Sequence, residues 1–334
     1  MPLHVTIDSD IDRLDTGAWQ HLVRATGAPV FYSPVFLRAF DAFPLHSVER
    51  SAHILVRDGT GAAHAVLPVY LQQGVDPMGA LAANRPEVLD RPILLSHVWH
   101  CYETVVPALS ADAAHLALGA MRDLAEEWGA ALHGVANVGA DSDEAELLGS
   151  TGLTGTYLDQ SWSMDISGLD GFESYLMALE GKPRRELRRA VRRAEEAGVE
   201  IRVLAVEDAD LDGFVSLARG TAGSKHDNAD YYLPGVFQGF LASLGSCARV
   251  TELRIEGRLV GALVSLVDGT RYHLWTIGAD YGACEGFSPT YILFGQALKE
   301  AFDEGKPTVT AGRRNGWFKT RYGLRPTDLQ IFLP

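Results

Sequence analysis

The sequence has 334 residues, 47% of them hydrophobic, and a formal net charge of −14. That length predicts two domains with sizeable cores and excludes a disordered chain. The acidic balance excludes a broad nonspecific DNA-binding surface, since phosphate would be repelled over most of the protein, and no apolar run approaches the ~20 residues of a membrane span.

The N-terminus, MPLHVTIDSDIDRLD, lacks the basic-then-apolar design of a secretory leader. Three cysteines, Cys101, Cys247 and Cys284, lie far apart and form no CxxC pair. That fits a reducing compartment and argues against a disulfide framework or a cysteine zinc site. A cytoplasmic protein is expected.

In chain order, HVTID reads as a strand, followed by helices near AWQHLVRA and PVFLRAFDAF. SAHILVRD and AAHAVLPVYL form a hairpin across a glycine turn, and a further strand is expected within HCYETVVP. The helix DAAHLALGAMRDLAEEWG, the strand ALHGVANV, the short helix DSDEAELLGST and the strand TYLDQSWSM complete this half. The second half opens with a basic helix and the strand VEIRVL, then two helices over 208–219 and 234–244. ARVTELRI, RLVGALVSLV and RYHLWTIGA are joined by Glu256-Gly257 and Asp268-Gly269, two-residue links that predict consecutive antiparallel strands. TYILFGQALKEAFDEG is a long helix with Pro289 suited to its first turn and Gly305 to its stop. The strand PTVTA, a brief helix around NGWFKTRYG and the strand DLQIFL end the chain.

Both halves therefore run strand, two helices, meander, helix, strand, helix, strand. Repetition at the level of element order predicts a duplicated α/β architecture with mixed sheets. The boundary is expected near the glycines of SGLDGF, giving domains 1–165 and 166–334.

Three stretches of the second half resemble a known family: KPRRELRRAVRRAEEAGVEI, then YHLWTIGADY with SPTYILFGQALKEAFDEG, then GRRNGWFKTRYGLRP. The most specific is Phe318-Lys319-Thr320-Arg321-Tyr322-Gly323. With the element order, these resemble the Fem-type (FemAB/FemX) peptidyltransferases, two GNAT-like domains in tandem. The resemblance implies an enzyme that forms an amide bond, passing an aminoacyl group from aminoacyl-tRNA, a co-substrate rather than a tightly bound cofactor, to the amine of a small-molecule acceptor. A cell-wall precursor and a specialised-metabolite intermediate both fit as acceptor. The chemistry would sit in the C-terminal half, with the N-terminal half walling the acceptor site.

The alternative is an acyl-CoA-dependent N-acyltransferase. CoA-using GNATs carry [RQ]-x-x-G-x-[GA] ahead of the long helix, where backbone N–H groups hold the pyrophosphate. Here that loop reads YGACEGFSP, a degenerate version.

Aminolysis needs a proton acceptor, donors for the developing oxyanion and aligned substrates. By resemblance, Lys319 contacts donor phosphate or transition-state charge. Asp227 or His226, in the polar loop GSKHDNADYY, could accept the amine's proton, with Lys225, Tyr231 and Tyr232 on an acceptor rim. Oxyanion donors are expected from the backbone around Trp275. Tyr291, one turn into the long helix, could reach the reacting centre or pack in the core, and Arg313 and Arg314 suit a phosphate or carboxylate. Between Lys182 and Arg202 lie eight basic residues against four acidic ones. At helical spacing Arg184, Arg188 and Arg192 form one row and Arg185, Arg189 and Arg193 the next, a stripe ~15 Å long. With Lys182 and Arg321 it could track the phosphates of an RNA acceptor stem; the other reading is a solvated face balanced by Glu186, Glu195 and Glu196. In the first half, SHVWHCYE invites a metal reading, but its ligands alternate faces of a strand and no second cluster has the spacing. No metal is expected, and Trp99 and Tyr102 are expected to border the acceptor cleft.

Overall fold

The computed structural model describes residues 2–73, 79–226, 229–284 and 286–334, and the side chains of all of these except 224–226. The chain divides into two compact units, Met1–Ser161 with Thr327–Pro334, and Trp162–Pro326.

The first unit contains β1 (Leu3–Asp8), α1 (Thr16–Ala25), α2 (Pro34–Ala42), β2 (Arg50–Asp58), β3 (Ala63–Gln73), α3 (Ala80–Asn84), β4 (Pro92–Ser96), α4 (Ala111–Glu127), β5 (Leu132–Gly139), α5 (Asp143–Ser150) and the start of β6 (Thr154–Asp165). The second contains α6 (Phe172–Ala178), α7 (Gly181–Glu196), β7 (Glu200–Leu204), α8 (Leu211–His226), α9 (Val236–Ala242), β8 (Ala248–Ile255), β9 (Arg258–Val267), β10 (Arg271–Ala279), α10 (Pro289–Asp303), β11 (Thr308–Ala311) and α11 (Gly316–Arg321); β12 (Arg325–Leu333) then returns to the first unit.

Within the first unit the strand order is β1-β2-β3-β4-β5-β12-β6, antiparallel at its β1 edge and parallel between β4 and β5. The last strand was expected to complete the second half, and it does not. Leu329 and Gln330 pair with Gly139 and Val138 of β5, and Phe332 joins the core under α4. The fourth strand also differs from expectation. The alternation of HCYETVVP suggests β structure, yet the strand is the apolar run Pro92–Ser96, and residues 100–107 are irregular. Part of that irregular backbone is satisfied by single bonds such as Thr104 N–H to the Asn137 carbonyl, 3.0 Å.

In the second unit the order is β6-β11-β10-β9-β8-β7, with Trp162–Asp165 of β6 antiparallel to β11 and β10 parallel to β11. The meander β8–β9–β10 follows the glycine-ended links read in the sequence. Pro289 opens α10, and Gly305, at φ +64°, ends it as the left-handed residue past the last turn. One face of α10 buries Leu293, Ala297, Leu298 and Ala301 against Leu253, Val260 and Tyr272. Among the described residues no helix is long and apolar enough to cross a membrane.

Candidate functional site

The parallel ladder between β10 and β11 lasts four residues, Arg271–Leu274 against Thr308–Ala311. Beyond Leu274, β10 stays paired to β9 but has no partner in β11, so the sheet opens into a V. A register shift between Leu274 and Thr276 puts a bulge at Trp275, which re-aims the strand at the mouth. Past it, Gly278 lies so close to α8 that any Cβ would run into the Ala218 backbone. The backbone N–H groups on the open edge are the donors an oxyanion could use.

One side of the mouth is aromatic. Trp275 stacks on Phe237 of α9 at 5.7 Å and 16°. The Tyr232 hydroxyl lies 2.6 Å from Thr276 Oγ1, and its pKa is raised by loss of water around it, against the lowering effect of that bond. Tyr231 packs edge-on against Tyr232 at 4.9 Å. Thr221 of α8 receives the Ala279 N–H at 3.0 Å, fixing the helix to the strand end.

Across α10 lies a pocket of about 170 Å³ lined by Glu186, Arg189, Ala190, Arg193, Gly286, Phe287, Ser288 and Tyr291. Its floor is the N-terminus of α10, the positive end of a four-turn helix. Its wall is α7, whose Leu187, Ala190 and Ala194 are buried and whose arginines lie on the remaining arc. Arg193 donates to the Gly286 carbonyl at 2.5 Å, tying α7 to the loop before α10. Glu186, the acid in this basic lining, is paired with Arg321.

Through the Arg321–Glu186 pair the pocket is linked to α11 and the turn that leads into it. Arg314 and Asn315 both adopt left-handed φ, 71° and 56°. Two consecutive non-glycine residues there are strained and persist only where their surroundings hold them. Lys319 supplies that hold: its side chain is buried and Nζ donates to the carbonyls of Gly312 and Arg313, the latter at 3.0 Å. Gly316 completes the turn because a Cβ would sit 2.5 Å from the Trp162 ring. Beneath, Phe318, Tyr322, Tyr291 and Phe294 form one aromatic cluster with centroids 4.8 to 5.7 Å apart.

A hydrogen-bonded relay at the base of the V was not read from the sequence. Thr310 Oγ1 lies 2.6 Å from His273 Nδ1, and His273 Nε2 lies 2.9 Å from Asp268 Oδ2. Burial pushes the Asp268 carboxyl up, but the bond and charge of His273, the Thr270 amide and Arg271 together hold it well below the usual range. The side chains of this relay are almost completely covered, so it reads as a clamp on the last rungs of the ladder. Asp268 and His273 are only five residues apart; Thr310 arrives through the parallel register, which no local pattern reveals.

The other expected residues scatter. Lys225 and His226 end α8, but their side chains, with Asp227, lie outside the described residues. Arg188 pairs with Glu173 at 2.9 Å and Arg192 with Glu196 at 3.7 Å. Lys182, Arg185 and Arg189 have no side-chain partner among the described residues. Arg321 is held by Glu186 and by the Trp317 ring, 4.9 Å from its centroid. Trp99 and Tyr102, expected at a cleft, are interior to the first unit at 0% and 5% exposure. Tyr102 packs edge-on against Phe31 at 5.4 Å. Neighbouring His97 is wholly buried, donates through Nε2–H to the Phe31 carbonyl at 2.9 Å, and has its pKa lowered to about 3, chiefly by desolvation. Among the described residues no group of three His, Cys, Asp or Glu side chains could hold a metal ion.

The family model of the GNAT acetyltransferase domain matches residues 181–320, the stretch that contains the V, the pocket and most of α11. No curated protein matches the sequence. Among solved structures, FemX aligns over 99% of this chain and 97% of its own, with TM-score 0.71 and 11% identity. A tandem GNAT protein from the clavulanic acid biosynthesis pathway aligns over 99% and 98%, at TM-score 0.57 and 13% identity. L-PGS from Bacillus licheniformis aligns over 95% and 91%, at TM-score 0.60 and 14% identity. The fold is thus a tandem GNAT fold similar to FemX, and residues 181–320 of the second unit match the GNAT acetyltransferase domain model.

Proposed function

We propose that the protein transfers an aminoacyl group from aminoacyl-tRNA to the amine of a small-molecule acceptor, in the cytoplasm, with the reaction centred on the V of the second unit. The observation that carries the donor assignment is the row of cations on α7. Lys182, Arg185 and Arg189 have no partner among the described residues, and they lead along one side of the helix to Arg193 at the pocket. From residue 182 to residue 193 a helix rises ~16 Å, longer than a single pyrophosphate and suited to several consecutive phosphates. The loop before α10, by contrast, lacks the Arg or Gln of the [RQ]-x-x-G-x-[GA] pattern, and Pro289 removes one amide at the helix start.

In the proposed reaction the acceptor's neutral amine nitrogen attacks the ester carbonyl carbon, and the carbonyl oxygen takes up the negative charge. N–H groups on the open edge of β10 around Trp275 stabilise that oxyanion. Collapse breaks the ester C–O bond: the amide forms, the ribose oxygen leaves, and the amine proton passes to a base and on to that oxygen. His226 or Asp227 is the proposed base, and Tyr231, Tyr232, Lys225 and Tyr291 border the acceptor. Lys319 holds the turn that carries Arg313 and Arg314 and adds positive charge beside the donor. The acceptor is a cell-wall precursor or a specialised-metabolite intermediate, each an amine that often carries anionic groups.

The second reading takes acyl-CoA as donor, with its pyrophosphate in the same pocket; the match to an acetyltransferase model favours it. Incubating the purified protein separately with radiolabelled aminoacyl-tRNA and radiolabelled acetyl-CoA, with a panel of amine acceptors, separates the two. Label transferred only from acetyl-CoA would reject the tRNA assignment.

A further inference from the structure

Trp317 is the most exposed large apolar side chain among the described residues, at 69%. A lone exposed aromatic needs no explanation, but this one stands on a costly support. Two left-handed non-glycine residues precede it, Gly316 is confined by Trp162, and the buried Lys319 ammonium is spent on the carbonyls of the same turn. Backbone strain of this kind persists where a particular presentation of side chains is needed. What the turn presents is an indole with an arginine beside it: the Arg321 guanidinium lies 4.9 Å from the Trp317 centroid and donates to Glu186. Glu186 also lines the cationic pocket, so the indole is separated from Arg189 and Arg193 by one ion pair.

An exposed aromatic ring bordering a positively charged groove is the arrangement by which proteins hold unpaired nucleobases, the ring taking the base's face and the cations its phosphate. We infer that Trp317 is a stacking platform for the terminal adenine of the donor, with the adjoining phosphate in the Arg189–Arg193 pocket. This rests on the donor reading above. Adenosine is the chemistry common to both candidate donors, since it ends the acceptor strand of tRNA and also forms one end of CoA. The covering Arg321 fixes the ring's plane, so Lys319 and Arg321 act here as positioning residues.

The test measures binding of an uncharged RNA hairpin ending in CCA, and separately of CoA, to wild type, Trp317→Ala, Trp317→Phe and Arg189→Ala/Arg193→Ala. Each probe is paired with a version lacking adenine: a hairpin with an abasic 3′ end, and 4′-phosphopantetheine. Stacking is worth about 1–3 kcal/mol per base, so Trp317→Ala should weaken the intact probe by roughly 5- to 150-fold, and Trp317→Phe much less. On the abasic probe Trp317→Ala should have no further effect, because the stacked pair is already broken. Equal losses on the intact and abasic probes, or no loss on either, would overturn the platform. If the arginine variants lose the hairpin while Trp317→Ala keeps it, the phosphate pocket stands and the platform is wrong. Coupling seen with CoA and not with the hairpin would keep the platform and reject the tRNA donor. Failure of wild type to bind either probe would overturn both.

Discussion

The two units repeat one topological idea and treat it oppositely. In each, a parallel pair ends early: β4 against β5 after Ser96–Val135, β10 against β11 after Leu274–Ala311. In the first unit the residues following that point turn inward. His97, Trp99, His100 and Cys101 are buried, with His97 hemmed by Phe31, Phe36, Tyr32 and Tyr70. In the second unit the equivalent end is flanked by a cationic pocket, a strained turn and an exposed tryptophan. A duplicated fold can thus carry one filled copy, whose apolar and neutral packing adds stability, and one copy that spends stability on charge and strain. Fold alone does not say which copy works; the side chains at the V do.

The sharpest way to break this contrast is to remove the support of the strained turn. Lys319→Met leaves two backbone carbonyls without their cation and releases the turn at Arg314–Asn315. We expect transfer to fall by about two orders of magnitude or more, since misplacement of about 1 Å can cost that much. Turnover should be lost while circular dichroism shows the fold intact; unimpaired turnover would remove Lys319 from the account. In the first unit the corresponding lever is His97. Its folded pKa, about 3, lies below the ~6.5 of an unfolded histidine, so its contribution is present above pH ~6.5 and is lost as pH falls toward 3. The loss should approach about 1.4 kcal/mol per pH unit within that window. Chemical denaturation at pH 7 and pH 4.5 should reveal it, and a His97→Gln variant should flatten the slope; equal slopes in the two proteins would show that His97 does not couple to folding.

Smaller effects separate the cations of α7 from one another. Replacing Lys182, Arg185 and Arg189 together by alanine should weaken tRNA binding about 10- to 100-fold at low salt, with little change in stability. Replacing Arg188 and Arg192, already engaged by Glu173 and Glu196, should change tRNA affinity less than about threefold and stability by under about 1 kcal/mol. If the second pair proved as costly as the first three, the division of α7 into two sides would be wrong.

Much of this was legible in the sequence for local reasons. The meander could be read from Glu256-Gly257 and Asp268-Gly269, and α10 from Pro289 and Gly305, because turn and cap chemistry act over a few residues. The buried side of α7 was legible in the spacing of Leu187, Ala190 and Ala194. What local chemistry could not reveal were long-range choices. Pro92–Ser96 is a short apolar run without alternation, buried between β3 and β5, whereas HCYETVVP alternates and is not a strand. The insertion of β12 beside β5 joins residues nearly 200 apart. In the site, Lys319 was legible as a residue of interest, but its engagement of the turn needed Gly312 and Arg313 in three dimensions. The Thr310–His273–Asp268 relay likewise needed the register of β10 on β11.

The most direct test of the donor assignment is the salt dependence of tRNA binding. If Lys182, Arg185 and Arg189 each neutralise one phosphate, log K against log[salt] should lose about 2 to 3 units of slope when all three become alanine. Wild-type binding that is independent of salt, or a slope unchanged in the triple variant, would contradict the account.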